Sequence, residues 1–187
     1  MYYHPERKLV YLAHGHTASR STSGALKGQG FLKLPRENHH ATLYESGIVT
    51  KENRELWHTF TTVRNHFDWI LAQTWKIQIA THPGPEIDWS DLSMWESALK
   101  RHNHITESHL FSRHVPDSDT LLHFETLKKD LELIVGPIRL PCVVLNPQRG
   151  GNPRKRGLEY RKYYTPKVRK WVEDRYGAEM EELGYSW

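Results

Sequence analysis

Short β-rich runs alternating with segments of helical periodicity predict an α/β domain with a mostly parallel sheet flanked by helices. Three observations carry this. Apolar or β-branched runs of strand length stand at 9–13, 57–63 and 119–124, helical repeats follow the last two at 66–80 and 125–135, and a capped helix closes the chain. At 187 residues the chain suits a single domain, 1–187, with an insert at about 81–118.

Leu9, Val10, Tyr11, Leu12 and Ala13 form the first strand, and 14–24 has almost no large apolar side chain, so it reads as a polar loop. Ala25 and Leu26 enter a short helix. Phe31, Leu32 and Leu34 form a second short strand before Pro35, and 38–42 is a polar break leading to a weak helical segment. Thr59 to Val63 are β-branched and aromatic, after which Phe67, Ile70, Leu71, Trp75 and Ile79 recur at helical spacing until Pro83-Gly84-Pro85 stops them. Residues 88–102 read as a helix, 119–124 as a strand and 125–135 as a helix ended by Gly136-Pro137. The basic, glycine-rich 145–158 is a loop. Thr165 then caps a helix with Pro166 at its first position, and Val168, Val172, Tyr176 and Met180 form one face.

Composition narrows the class. No run approaches the length of a membrane span, and the first residues lack a secretory signal, so a cytoplasmic protein without a membrane partner is expected. Cys142 is the only cysteine, which excludes an internal disulfide. His102, His104, His109 and His114 match no metal-ligand spacing, so no metal is expected. The net charge of +4 is unevenly spread: 149–170 is strongly basic, with Glu159 its only acid, while 173–182 is mostly acidic.

In a parallel sheet ligands bind at the carboxyl ends of the strands. Three segments converge on that edge: the hydroxyl-rich 14–24, Arg64 at the end of its strand, and the basic loop 149–157. Small hydroxyl residues and a guanidinium beside a helix start are the groups that hold an anion.

These residues resemble the sulfotransferase superfamily, especially the Golgi-type carbohydrate sulfotransferases and their shorter bacterial and viral relatives. Phe60-Thr61-Thr62-Val63-Arg64-Asn65-His66-Phe67-Asp68 looks like the family's strand-and-helix motif for a 3′-phosphate, and Leu122-His123-Phe124-Glu125, Leu140-Pro141, Asn146, Tyr163-Tyr164-Thr165-Pro166 and Gly184-Tyr185-Ser186 follow in the family's order. The resemblance implies a P-loop NTPase-like fold, 3′-phosphoadenosine 5′-phosphosulfate as co-substrate, and transfer of its sulfuryl group to a hydroxyl or amine of a small-molecule or carbohydrate acceptor. It implies that His16, Thr17, Ala18, Ser19, Arg20, Ser21, Thr22 and Ser23 cradle the 5′-phosphosulfate. Arg64 holds the 3′-phosphate, and Arg154, Lys155, Arg156 and Gly157 close over the nucleotide. His40 is the expected base, with His39 its rival, while His16 and Arg20 stabilise charge on the leaving side. The insert at 81–118 faces the acceptor. His66, Trp69 and Ala72 stand where the family has proline, a second arginine and a serine, and His16 or Arg20 is nearest to the usual loop lysine.

Two other readings compete. Residues 149–170 with Tyr160, Tyr163 and Tyr164 form a basic, aromatic run of the kind that binds nucleic acid. A degenerate relative would bind the nucleotide without catalysing transfer.

Overall fold

The computed structural model describes residues 1–15, 17–34, 42–81, 88–100, 106, 108–140 and 159–187. In chain order the main elements are β1 (Tyr2–His4), β2 (Leu9–Leu12), α1 (Ser19–Gly28), β3 (Leu32–Lys33), β4 (His58–Val63), α2 (His66–Thr81), α3 (Leu92–Lys100), β5 (Thr120–His123), α4 (Leu127–Val135) and α5 (Pro166–Glu182). They form two compact units, Met1–Arg64 with Arg113–Val143, and Asn65–Ser112 with Val144–Trp187.

The first unit holds a five-stranded sheet of order β3-β1-β2-β4-β5. β1 pairs antiparallel with β2 and β3, whereas β2–β4 and β4–β5 are parallel and carry the longer ladders. β2 is apolar at every position because both its faces are covered. Leu9 and Tyr11 point to a core shared with Leu26 of α1, Phe60 of β4 and Leu131 of α4, while Val10 and Leu12 point to Leu34, Leu43 and Trp57. The strand β1 has no counterpart in the sequence reading, since three residues are too few to show an alternation.

A correction concerns 14–24. It is a loop only as far as Ala18, and α1 already begins at Ser19. Serine, threonine and glycine are weak helix formers in isolation, yet here Thr22 and Ser23 donate their hydroxyls to the carbonyls of Ala18 and Ser19 one turn back, and Ala25 and Leu26 are buried. Packing outweighs propensity.

Asp119, just before β5, ties the amino ends of β4 and β5 together. One carboxylate oxygen accepts from Arg54 at 2.7 Å and the other from the amide and hydroxyl of Thr59 at 2.7 and 2.9 Å. Partial burial works to raise the Asp119 carboxyl, but the hydrogen bonds from Arg54 and Thr59 and the charge of Arg54 prevail and hold it below the usual range.

The second unit is helical and strongly aromatic. Its α2 starts with the side chain of Asn65 accepting the amide of Phe67 at 3.0 Å, which satisfies one of the donors at a helix start. The Tyr164 hydroxyl donates to the Phe67 carbonyl at 2.7 Å, and Trp187 meets the Phe67 ring edge-on at 4.5 Å. Trp75 stacks on Trp89 at 5.6 Å, and Tyr163 meets Trp89 at 5.0 Å. α5 is capped as its sequence predicts, with Thr165 Oγ1 accepting the amide of Val168 and Pro166 in the first turn.

At the centre of this unit Glu179 is 4 % exposed and accepts three hydrogen bonds: from His66 Nε2 at 2.7 Å and from the amides of Leu110 and Phe111 at 2.6 and 3.0 Å. One carboxylate thus joins α5, α2 and the chain at 110–111. Among the described residues no helix is long and apolar enough to cross a membrane.

Two predictions follow from these carboxylates. Glu179→Ala strands an imidazole and two amides in the interior and lowers unfolding free energy by about 3–5 kcal/mol in urea titrations; a loss within 1 kcal/mol, roughly that of a surface substitution, refutes the keystone role. Asp119 titrates lower in the folded than in the unfolded chain, so its stabilisation is present above about pH 4 and is lost as the pH falls through the folded value. Asp119→Asn therefore costs stability at neutral pH and flattens the acid limb of the urea midpoint plotted against pH.

Candidate functional site

β2 and β4 run in register from Leu9 opposite His58 to Leu12 opposite Thr61, so both end at one edge of the sheet. After β2 the chain continues to β3 on one side, and after β4 the next strand of the sheet is β5 on the other. The carboxyl ends of β2 and β4 therefore flank the point where the connections diverge, which is where open α/β sheets form a ligand crevice.

The β2 side of this point is the loop 13–18 and the start of α1. Ala18 has φ 60° and ψ 22°, a left-handed conformation that a residue with a Cβ adopts at a cost of about 1–2 kcal/mol. It is the N-cap of α1 and makes no side-chain capping bond, and the first turn contains no acidic residue. A left-handed residue leading into an uncapped helix turns consecutive backbone N–H groups toward a common point, the arrangement that receives an anion. Arg20 is exposed in that first turn. A Cβ built on Gly15 meets nothing within 4 Å, so the loop borders open space there among the described residues.

The β4 side is Arg64. Its side chain is 1 % exposed, and its guanidinium lies 4.3 Å from the centroid of the Phe124 ring just beyond β5. A desolvated cation over an aromatic face is favoured by the ring's negative face, and that contact fixes the guanidinium at the sheet edge. His14 and His114, each 2 % exposed, meet at the same edge with ring centroids 5.8 Å apart and planes at 86°.

Tyr11 anchors the loop from below. Its hydroxyl is 3.3 Å from Thr62 Oγ1 of β4, and the hydroxyls of Thr17 of the loop and Thr22 of α1 lie near it. Burial pushes the Tyr11 phenol up, and these hydroxyl contacts only partly oppose the shift.

The hydroxyls expected to cradle the phosphosulfate are engaged within the protein. Thr17, Thr22 and Ser23 are buried, and their hydroxyls donate to the carbonyls of His14, Ala18 and Ser19, so they do not offer donors to a ligand. The start of α1 after Ala18 carries no side-chain cap. His16, His39, His40, Arg154, Lys155, Arg156 and Gly157 lie outside the described residues. Tyr11, His114 and Phe124 are not among the site residues expected from the sequence, and His14 is covered there only as part of 14–24. Tyr11 sits in an apolar run where a buried ring is the obvious reading, and His114 is separated from its partner by the whole first sheet segment.

The remaining motif positions belong to the helical unit. His66 is fully buried against Glu179, Trp69 is fully buried with its ring 6.4 Å from that of Phe111, and Ala72 is half-buried. Trp69, where the resembled family has an arginine, is a core residue here. Gln73 and Thr74, which follow the alanine, are buried as well. Tyr160 and Tyr164 are 4 % and 8 % exposed, which removes two of the three rings that a nucleic-acid surface would use. Trp95 and Phe111, in the expected insert, are buried too and pack rather than face an acceptor. No group of three or more His, Cys, Asp or Glu is placed to hold a metal among the described residues.

Because the Tyr11 phenol is held above its ordinary value, the stability it contributes is full below about pH 10 and is lost as the pH rises through the folded value. Tyr11→Phe should cost about 1 kcal/mol at neutral pH and reduce the alkaline loss, leaving the part due to Tyr176, whose phenol burial also raises. Urea midpoints from neutral to strongly alkaline pH check this. The chain matches no protein-family model, no curated protein and no solved structure.

Proposed function

We propose that this protein is a sulfotransferase that moves the sulfuryl group of 3′-phosphoadenosine 5′-phosphosulfate to a hydroxyl or amine acceptor, on a sheet of the P-loop NTPase-like kind. The observation that carries the reading is that the uncapped, positively polarised start of α1 after Ala18 and Arg64 each follow the carboxyl end of one of two parallel neighbouring strands. Two separate cationic features at one crevice suit a ligand with phosphates at two positions, and the motif around Arg64 resembles the family's 3′-phosphate segment.

In this reading the backbone at 18–21 holds the 5′-phosphosulfate, Arg64 the 3′-phosphate, and Arg154, Lys155, Arg156 and Gly157 close over the nucleotide. His40 takes the proton of the acceptor O–H or N–H as the new bond to sulfur forms. The bond from sulfur to the bridging oxygen breaks in line, and His16 and Arg20 stabilise the charge gained by the departing phosphate. The acceptor is a small molecule or a carbohydrate.

Adenosine 3′,5′-bisphosphate should stabilise the protein by about 2.7 kcal/mol at a hundredfold excess over its dissociation constant, read as a thermal shift. Arg64→Ala weakens that binding by roughly 10- to 150-fold, since a charge-assisted contact contributes about 1.5–3 kcal/mol. His40→Ala keeps the shift and loses transfer from labelled phosphosulfate donor to acceptors in a cell extract. Binding without transfer to any acceptor would identify a nucleotide-binding protein instead. Tight oligonucleotide binding with no shift would replace the reading altogether.

A further inference from the structure

The helical unit contains a cavity of its own. An open groove of about 740 Å³ runs along α5, with Leu92 at the start of α3 and Pro166 contributing aliphatic wall. That volume lies within the range of small-molecule sites. The face of α5 that borders it is chemically distinct from the face that builds the core. Val168, Val172, Tyr176 and Met180 are buried, whereas Lys167, Trp171 and Arg175 follow one another at intervals of four on the neighbouring ridge.

This ridge places an indole between two cations, each about 6 Å along the axis from it. Trp171 and Arg175 are half-buried and Lys167 is exposed. The Arg175 guanidinium lies 5.8 Å from the Trp171 centroid, and its Nε is buried without a hydrogen bond of ordinary geometry among the described residues. Lys167 forms no ion pair among the described residues. The other charges of the groove answer each other, with Lys170 bonded to Asp174 at 2.8 Å. A net positive charge thus remains at the two ends of a flat apolar surface.

We propose that this groove binds a small organic anion, an aromatic or aliphatic body carrying a phosphate or sulfate group. The body lies against Trp171, Leu92 and Pro166, and the anion is held at one end of the ridge, by Lys167 or by Arg175. Charge complementarity selects the anion, since three of the four charged groups in the described lining, Lys167, Lys170 and Arg175 against Asp174, are cations. Nucleic acid fits less well. Trp75 and Trp89 stack face to face on each other rather than offering faces to bases, and among the described residues Trp171 is the one aromatic ring lining the groove.

Calorimetric titration of the full chain with 1-naphthyl phosphate, 1-naphthyl sulfate, 1-naphthol, inorganic phosphate and a single-stranded oligonucleotide tests the proposal. One or both naphthyl esters should bind at least about tenfold more tightly than naphthol or inorganic phosphate, and the tighter ester identifies the anion. Lys167→Glu with Arg175→Glu should abolish ester binding, while Trp171→Ala should weaken it by about tenfold without altering the circular dichroism of the protein. Absence of ester binding overturns the proposal. So do equal binding of inorganic phosphate, tighter binding of the oligonucleotide, or ester binding that survives the double charge reversal.

Discussion

Everything at the candidate nucleotide edge depends on the parallel register of β2 with β4. Once Leu12 lies opposite Thr61, the chain after β2 and the residue after β4 must emerge at one end of the sheet. The register is specified because both strands are buried on both faces, so a one-residue slip would exchange the side chains of the two cores. Tyr11 adds a polar key to this apolar lock, since its hydroxyl reaches Thr62 across the strand pair and Thr17 and Thr22 above it. The loop is therefore held both by its own Thr17 and by its packing on the strand beneath it.

That arrangement explains why the hydroxyl residues of 17–23 do not behave as a free ligand-binding set. Thr17 closes the turn after β2, and Thr22 and Ser23 hold the first turn of α1 together. What the segment presents instead is backbone: a left-handed Ala18 and the uncapped amides that follow it. Anion binding by main-chain N–H groups needs small residues and space more than it needs particular side chains, which Gly15 and Ala18 supply.

The helical unit is organised by a different principle. Its core is dominated by aromatic rings with polar tips, and the polar groups are satisfied in a few places: Tyr164 on the Phe67 carbonyl, Asn65 on the Phe67 amide and the Ser186 carbonyl, and above all Glu179 on His66, Leu110 and Phe111. A buried carboxylate with three donors is costly to disturb, because removing it leaves several groups without partners at once. The same helix carries the groove ridge, so α5 divides its residues between core, polar keystone and accessible surface.

Much of the fold was legible locally. Apolar and β-branched runs located β2, β4 and β5, helical periodicity located α2, α3 and α4, and Thr165-Pro166 marked the first turn of α5. Arg64 was legible as an anion-binding candidate because a change of period from strand to helix is a local event. The three-residue β1 and the serine-rich start of α1 were not, since their states depend on neighbours far along the chain: pairing with β2 in one case, burial of Ala25 and Leu26 in the other. Nor could spacing reveal that Glu179, in an acidic segment, would pair with His66 from 113 residues away, or that Tyr11 would use its hydroxyl. Sequence alone determined most of the longer elements and the charge of the chain, because propensity, periodicity and capping act within a few residues. The tertiary structure decided which polar groups are spent on holding the protein together and which backbone groups remain for a ligand, because that allocation depends on burial and on partners brought together only by folding.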